Sequence, residues 1–318
     1  MKRIALTAAM MMIIAFSGQA QQDPLVSQYM FNHLLVNPGY AGSKDYAMAS
    51  ALYRDQWVGL DGAPKTFLAS LNGPAFKSRK VGLGISIGDD KIGITNRYSV
   101  TGNYAYQVPL NENYKLGIGI STGLFYQTNN LPAAKINESN DRVYQGGKTT
   151  KIIPEAGAGL YLHSDKLYIG LSATNLVSYD KDRPFSIDGS KSGTFAYVRH
   201  YWLGGGYAFE INPDLVIRPS IMARYTKNAP LQADINCNVF IKKLLILGVT
   251  ARTGDAHAGT PESIIGIIEF QVTKQLRIGY SYDFTLSALN NYSNGSHEIT
   301  IGYDFGYDIL KIKSPRYF

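Results

Sequence analysis

The sequence predicts an all-β protein: a transmembrane, antiparallel, up-and-down β-barrel of about 14 strands with an N-terminal periplasmic arm. The sharpest sign is the last hairpin. Leu276, Ile278, Tyr280, Tyr282 and Phe284 alternate with Arg277, Gly279, Ser281, Asp283 and Thr285. On the return arm, Ile299, Ile301, Tyr303, Phe305 and Tyr307 alternate with Thr300, Gly302, Asp304, Gly306 and Asp308. Side chains along a strand point to opposite faces in turn, so each arm has one apolar and one polar or glycine face. Ten such residues, tilted, just span a bilayer's hydrocarbon. A soluble sheet with one wet face would alternate in the same way. The number of such segments and the rhythm of their connections separate the two.

Candidate strands run Asp45–Trp57, Pro64–Gly73, Lys80–Gly88, Asn96–Val108, Asn113–Gln127, Pro154–His163, Lys166–Asn175 and Val198–Ile211. They continue with Asp214–Lys227, Leu231–Ile241, Lys243–Arg252, Glu262–Val272, Gln275–Thr285 and His297–Ile309. The count is even, as in bacterial single-chain barrels. Connections such as Pro109–Glu112, Ser164-Asp165, Asn212-Pro213 and Thr273-Lys274 are short, whereas Thr128–Ile153, Leu176–Tyr197 and Leu286–Ser296 are long. Short and long are expected to take strict turns, one rim holding turns and the other loops. An even count puts both barrel ends on the short-turn side, so the N- and C-termini are expected to be periplasmic. Glycine, at 32 of 318 residues, exceeds the usual ~7%, and Tyr, at 23, leads the aromatics. The first thins lumen-facing positions and the second suits a membrane interface. A mean hydropathy of −0.11 conceals such a barrel, because inward polar residues cancel outward apolar ones.

Before the strands, Lys2 and Arg3 precede an apolar run from Ile4 to Phe16 and then Ser17-Gly18-Gln19-Ala20. This is the pattern of a Sec signal peptide, residues 1–20, cut after Ala20. No other segment approaches 18 continuous apolar residues, so no spanning helix is expected. An arm follows over residues 21–44, with Asn37-Pro38-Gly39 as a turn and Ser27 as a possible helix cap. The barrel is assigned to residues 45–309 and a tail to 310–318. Phe318 supplies a terminal aromatic, but Pro315 lacks the amide a central ladder needs.

Losing Lys2 and Arg3 takes the formal charge from +7 to +5, without the basic stripe of a nucleic-acid binder. Cys237 alternates with Ile235 and Val239, which makes it a small outward residue. Gly117-Ile118-Gly119 and Gly204-Gly205-Gly206 sit inside strand patterns with no following helix, so they are not phosphate loops. His33, His163, His200, His257 and His297 are dispersed, only His200 falling on an inward phase, near Trp202. No Gly-x-Ser-x-Gly elbow occurs. Asp89-Asp90 and Asp180-x-Asp182 lack the register of a Ca²⁺ loop, and no Cys/His cluster offers a metal site. No catalytic residue, cofactor or metal is therefore expected. Arg218, Arg224, Arg277, Asp283 and Asp304 are candidate lumen-lining residues, with Glu155 and Glu269 beside them. Phe125, Tyr161 and Tyr168 share the inward face, hinting at a partly filled lumen. A lumen lined in this way suits a diffusion porin, and equally a barrel packed with its own arm or with a partner segment.

The arm carries a family resemblance. Gln22-Asp23-Pro24, Ser27-Gln28-Tyr29-Met30-Phe31-Asn32 and Asn37-Pro38-Gly39-Tyr40-Ala41-Gly42 resemble the opening of the PorP/SprF family. Those are outer-membrane proteins of the type IX secretion system of Bacteroidota. Arg54-Asp55-Gln56-Trp57 with Gly62-Ala63-Pro64-Lys65-Thr66, and the ending Ser314-Pro315-Arg316-Tyr317-Phe318, are similar to the family's first strand and loop and to its tail. Only His33-Leu34 departs from the pattern. Gln28, Tyr29, Asn37, Pro38, Gly39 and Trp57 are the positions that carry the motif. The resemblance implies a non-enzymatic component that helps secrete or anchor adhesin-like surface proteins bearing a type IX C-terminal signal domain, including gliding-motility adhesins. Its implied partners are outer-membrane lipid, that cargo and the periplasmic machine, with no nucleic acid. Intact mass of protein from the membrane should correspond to a chain starting at Gln21; a mass retaining residues 1–20 would refute the signal peptide.

Overall fold

The computed structural model describes residues 23–133, 147–180, 183–186, 198–227, 229–253 and 261–305. The signal segment, His257, Tyr307, Asp308, Phe318 and the tail 310–318 lie outside the described residues. Fourteen antiparallel strands close into a ring. They are β1 Ala47–Asp55, β2 Lys65–Pro74, β3 Val81–Ile92, β4 Thr95–Pro109, β5 Lys115–Asn130, β6 Lys148–His163 and β7 Leu167–Thr174. Then come β8 His200–Tyr207, carried on by Phe209–Asn212, and β9 Leu215–Thr226, β10 Gln232–Ile241, β11 Leu245–Thr253, β12 Pro261–Gln271, β13 Leu276–Thr285 and β14 Ser296–Phe305. Each pairs with its sequence neighbours, and β1 pairs with β14 from Ala47↔Phe305 to Asp55↔His297. Closure leaves the barrel itself without an edge strand; a separate two-stranded ribbon, Ser178–Asp180 with Arg183–Ser186, stands outside its sheet.

The alternation read from the sequence sorts the side chains. In β13, Ile278, Tyr280 and Phe284 are exposed, while Ser281, Asp283 and Thr285 are buried. For a barrel this means apolar side chains toward lipid and polar ones toward the lumen. Outward aromatics gather in two belts. Tyr98 with Tyr126, Tyr201 with Tyr225, and Tyr282 with Phe284 ring the upper rim. Tyr207 with Phe209, and Tyr303 with Phe305, mark the lower rim, as amphipathic rings do at headgroup level. Among the described residues no helix is long and apolar enough to cross a membrane; crossing is by strands.

Two expectations need correction. The alternation of short and long connections is not strict, because β3 and β4 extend past their expected ends and leave only Gly93 and Ile94 between them on the long-loop rim. Gly93 takes φ 55°, which opens a two-residue hairpin at no steric cost. β5 and β6 also run further than expected, to Asn130 and from Lys148. Their polar residues continue the pairing beyond the apolar stretch, where hydropathy carries no signal. Replacing the lipid-facing Ile301, in the middle of β14, by Arg should cost about 2–4 kcal/mol, read by urea unfolding in liposomes.

Candidate functional site: an arm threaded through the lumen

The arm expected on the periplasmic side is instead inside the barrel. Counting strands fixes only where β1 begins; it leaves the preceding chain free to run back through the lumen. Asp23 lies beside Arg97, Thr174, Asn175 and His200, all at the long-loop ends of their strands. From there the chain descends to Lys44 and enters β1 at the short-turn rim. Three single 3₁₀ turns, Tyr29–Phe31, His33–Leu35 and Pro38–Tyr40, break the descent. Asn32 and Asn37 start the second and third by accepting from Leu34 N–H and Gly39 N–H, as such side chains do at turns.

A backbone crossing a lumen must find partners for its amides and carbonyls. The wall supplies them from inward side chains. Glu298 accepts the Ser27 and Gln28 amides at 2.8 and 2.7 Å. Arg252 donates to the Val26 carbonyl at 3.2 Å, and the Ser172 hydroxyl to that of Val36 at 2.5 Å. Gln107 donates to the carbonyls of Gly39 and Ala41, at 3.2 and 2.8 Å, while its own oxygen faces His163 Nε2 at 3.0 Å. The arm reciprocates: Asn32 Nδ2 donates to Ser50 and Ser70, and Asn37 Nδ2 to the Leu160 and Leu171 carbonyls. Apolar arm residues make the core. Val26, Tyr29 and Met30 pack with Leu52, Trp202, Met222, Ile265 and Ile267, and Leu34, Tyr40 and Ala41 with Met48, Ala105, Tyr161 and Tyr168.

Inward glycines make room. A Cβ at Gly119 would run into the Gly39 amide and the Pro38 backbone, and one at Gly82 into the Ala41 carbonyl. The Gly117-Ile118-Gly119 run is therefore where the Asn37-Pro38-Gly39 turn presses on the wall.

The tightest anchor is a buried ionic cluster under Ser27 and Gln28. Arg54 reaches Asp283 at 2.7 Å and Glu298 at 3.2 Å, and donates to the Ser27 hydroxyl at 2.8 Å. Arg252 bridges Asp283 and Asp234, binding the latter through two 2.9 Å bonds, and Arg224 adds a 3.4 Å contact to Asp234. Three guanidinium groups thus face three carboxylates, and the cluster is formally neutral. Near the other rim Arg277 holds Glu269 at 3.6 Å and Asp304 at 3.3 Å. Arg218 lies over the rings of Phe31 and Phe240. His33 Nδ1 sits 3.0 Å from the Tyr161 hydroxyl. At the short-turn rim, burial pushes Lys44 down to about 8.

Arg218, Arg224, Arg277, Asp283 and Asp304 all face the lumen but divide between the two clusters and the Phe31 contact. Gln28, Tyr29, Asn37, Pro38 and Gly39 are buried arm residues against the wall. Trp57 is apart, half-buried in the β1–β2 loop at φ 50° with its amide on Ser296 Oγ. His33 and His163 join His200 in the lumen, so His200 is not the sole inward histidine. Arg54, Asp234, Arg252 and Glu298 were missed as anchors. Each occupies the polar phase of its strand, the one signal available, but their partners are up to 271 positions away. Among the described residues no group of three or more His, Cys, Asp or Glu is placed to hold a metal.

A fourteen-stranded membrane β-barrel, its lumen filled by the chain's own N-terminal arm, is the class of protein defined here. Residues 18–303 match the family model described as type IX secretion system membrane protein PorP/SprF, and the chain belongs to that family. No curated protein matched. Among solved structures, the Ralstonia pickettii toluene transporter TbuX is similar at 10% identity over 87% of this chain and 92% of its own, with a TM-score of 0.50; that likeness concerns the fold. The Acinetobacter baumannii outer membrane protein Omp33 matches at 10% identity, TM-score 0.47, over 83% of this chain and 100% of its own. A Pseudomonas aeruginosa FadL homologue matches at 12% identity, TM-score 0.45, over 87% and 94%.

Arg54→Ala leaves Asp283 and Glu298 without their shared cation and should cost about 3–5 kcal/mol, read as protease sensitivity of the arm and a lower unfolding midpoint. Gly119→Val should expel the Asn37–Tyr40 turn, detected as cleavage between Asn32 and Lys44 by a protease that spares the wild type.

Proposed function

We propose that this protein is a plugged outer-membrane component of type IX secretion that helps deliver or anchor adhesin-like surface proteins, rather than an open pore or an enzyme. The observation that carries the reading is the arm, whose residues Gln28, Asn37 and Gly39 hydrogen-bond to the wall. A diffusion porin needs a continuous aqueous path. Here Ser27, Gln28, Tyr29, Met30, Tyr40 and Ala41 are each at most 2% exposed, so the lumen's middle is packed like a core. On this reading the chain is exported through its signal peptide. The long-loop rim faces outward and meets the cargo's C-terminal signal domain, and the short turns meet the periplasmic machine. The packed middle of the lumen leaves the rims as the surfaces open to protein partners.

Deleting the gene should remove a specific adhesin-like protein, and with it gliding where the cell glides, from the surface proteome. An unchanged surface proteome would refute the role. In planar bilayers the intact barrel should conduct little, whereas a variant lacking residues 23–43 should open steady channels. High conductance of the intact protein would favour the porin.

A further inference from the structure

The arm does not fill the lumen evenly. Between it and the wall formed by β3–β6 lies a cavity of about 130 Å³, on the long-loop half of the barrel. That is close to the engineered cavity of about 150 Å³ that holds benzene. Its apolar walls include Val26, Leu35, Phe125 and Trp202. Its charged lining is unbalanced: Asp23, Asp90 and Glu155 stand against Arg97 alone.

Two of these carboxylates are engaged. Asp23 meets Arg97, Asn175 and His200, and Asp90 accepts from Thr66 and faces Arg97 at 3.8 Å. Glu155 differs. Ser121 and the Asn175 amide approach its carboxyl, yet Oε2 is buried with no protein partner, on a residue 5% exposed. A buried carboxylate oxygen without a donor carries its full desolvation penalty, a cost native structures normally cancel with a partner.

We propose that this cavity binds a primary ammonium group on a short apolar chain of about four to six carbons, the ammonium donating to Glu155 Oε2 and the chain lying against Phe125, Trp202 and Leu35. A cation answers the negative excess, an N–H donor answers the unpaired oxygen, and a body of that length matches the volume and the apolar walls. Both a free alkylamine and the lysine side chain of a segment entering from the long-loop rim have this chemistry.

Titration calorimetry of the purified full chain with n-butylammonium chloride tests it, with n-butanol as the uncharged control of equal shape. Saturable one-to-one binding of the ammonium is expected, with butanol at least about tenfold weaker, the scale of one charge-assisted hydrogen bond. Glu155→Gln, kept only if its arm stays protease-resistant, should lose the ammonium by at least the same factor. If that variant does not fold, the ammonium-to-butanol ratio on the wild type decides. A competing acetylated, amidated lysine tripeptide, beside its norleucine counterpart, separates the sources: displacement by the lysine peptide alone identifies a chain, and its failure beside butylammonium binding identifies a free amine. No saturable binding, equal affinity for butanol, or a folded Glu155→Gln with unchanged affinity would overturn the proposal.

Discussion

The structure depends on Glu298 accepting the Ser27 and Gln28 amides while Arg54 neutralises it. Buried charge is tolerable only when paired and hydrogen-bonded on its remaining sites. Here the arm and the barrel meet that requirement for each other. Without the arm, Glu298 and Asp283 would keep Arg54 but lose the Ser27 donors; without the wall, the arm's amides would face a lumen with nothing to accept them. The same reciprocity recurs lower down, where Gln107 holds two arm carbonyls and Asn37 holds two wall carbonyls. Plug and barrel are one folded unit, although the arm contributes no strand to the sheet.

This unity explains a composition that would otherwise look like that of a porin. Arg, Asp, Glu, Ser and Asn on an inward face suit a hydrated channel, and they equally suit a set of sockets for an irregular backbone. What distinguishes the two is glycine. Gly82, Gly117, Gly119 and Gly159 stand where the arm comes closest, and a side chain at any of them would push Asn37–Gly42 away from the wall. A water-filled lumen would impose no such demand at those places.

The barrel was almost wholly legible in the sequence, because inside and outside alternate with the strand's own period and lipid enforces the apolar half. Ile278, Tyr280 and Phe284 announce their face without any knowledge of their neighbours. The arm was legible as a motif, and a lumen packed with it was one open reading of the inward face, but its path was not legible. Its short turns have no periodicity, and its partners, such as Asp283 for Ser27, lie 256 residues away. The strand-count argument that placed the barrel's ends correctly also misplaced the arm, since it constrains where β1 begins and not where the preceding chain goes. The two-residue β3–β4 turn escaped for a related reason: Asp89, Asp90 and Lys91 are polar in pattern but still paired in the ladder.

Arg54 and Glu298 are direct partners in the β1–β14 register, so this ion pair straddles the seam that makes the sheet a cylinder. A slip of one residue there would turn one of the two charges toward lipid and withdraw the acceptor on which Ser27 and Gln28 rest. Correct zipping of the first and last strands and correct lodging of the plug are thus read by the same few atoms. An assembly machine that waits for a sealed seam would, with this chain, release only barrels that are already stoppered.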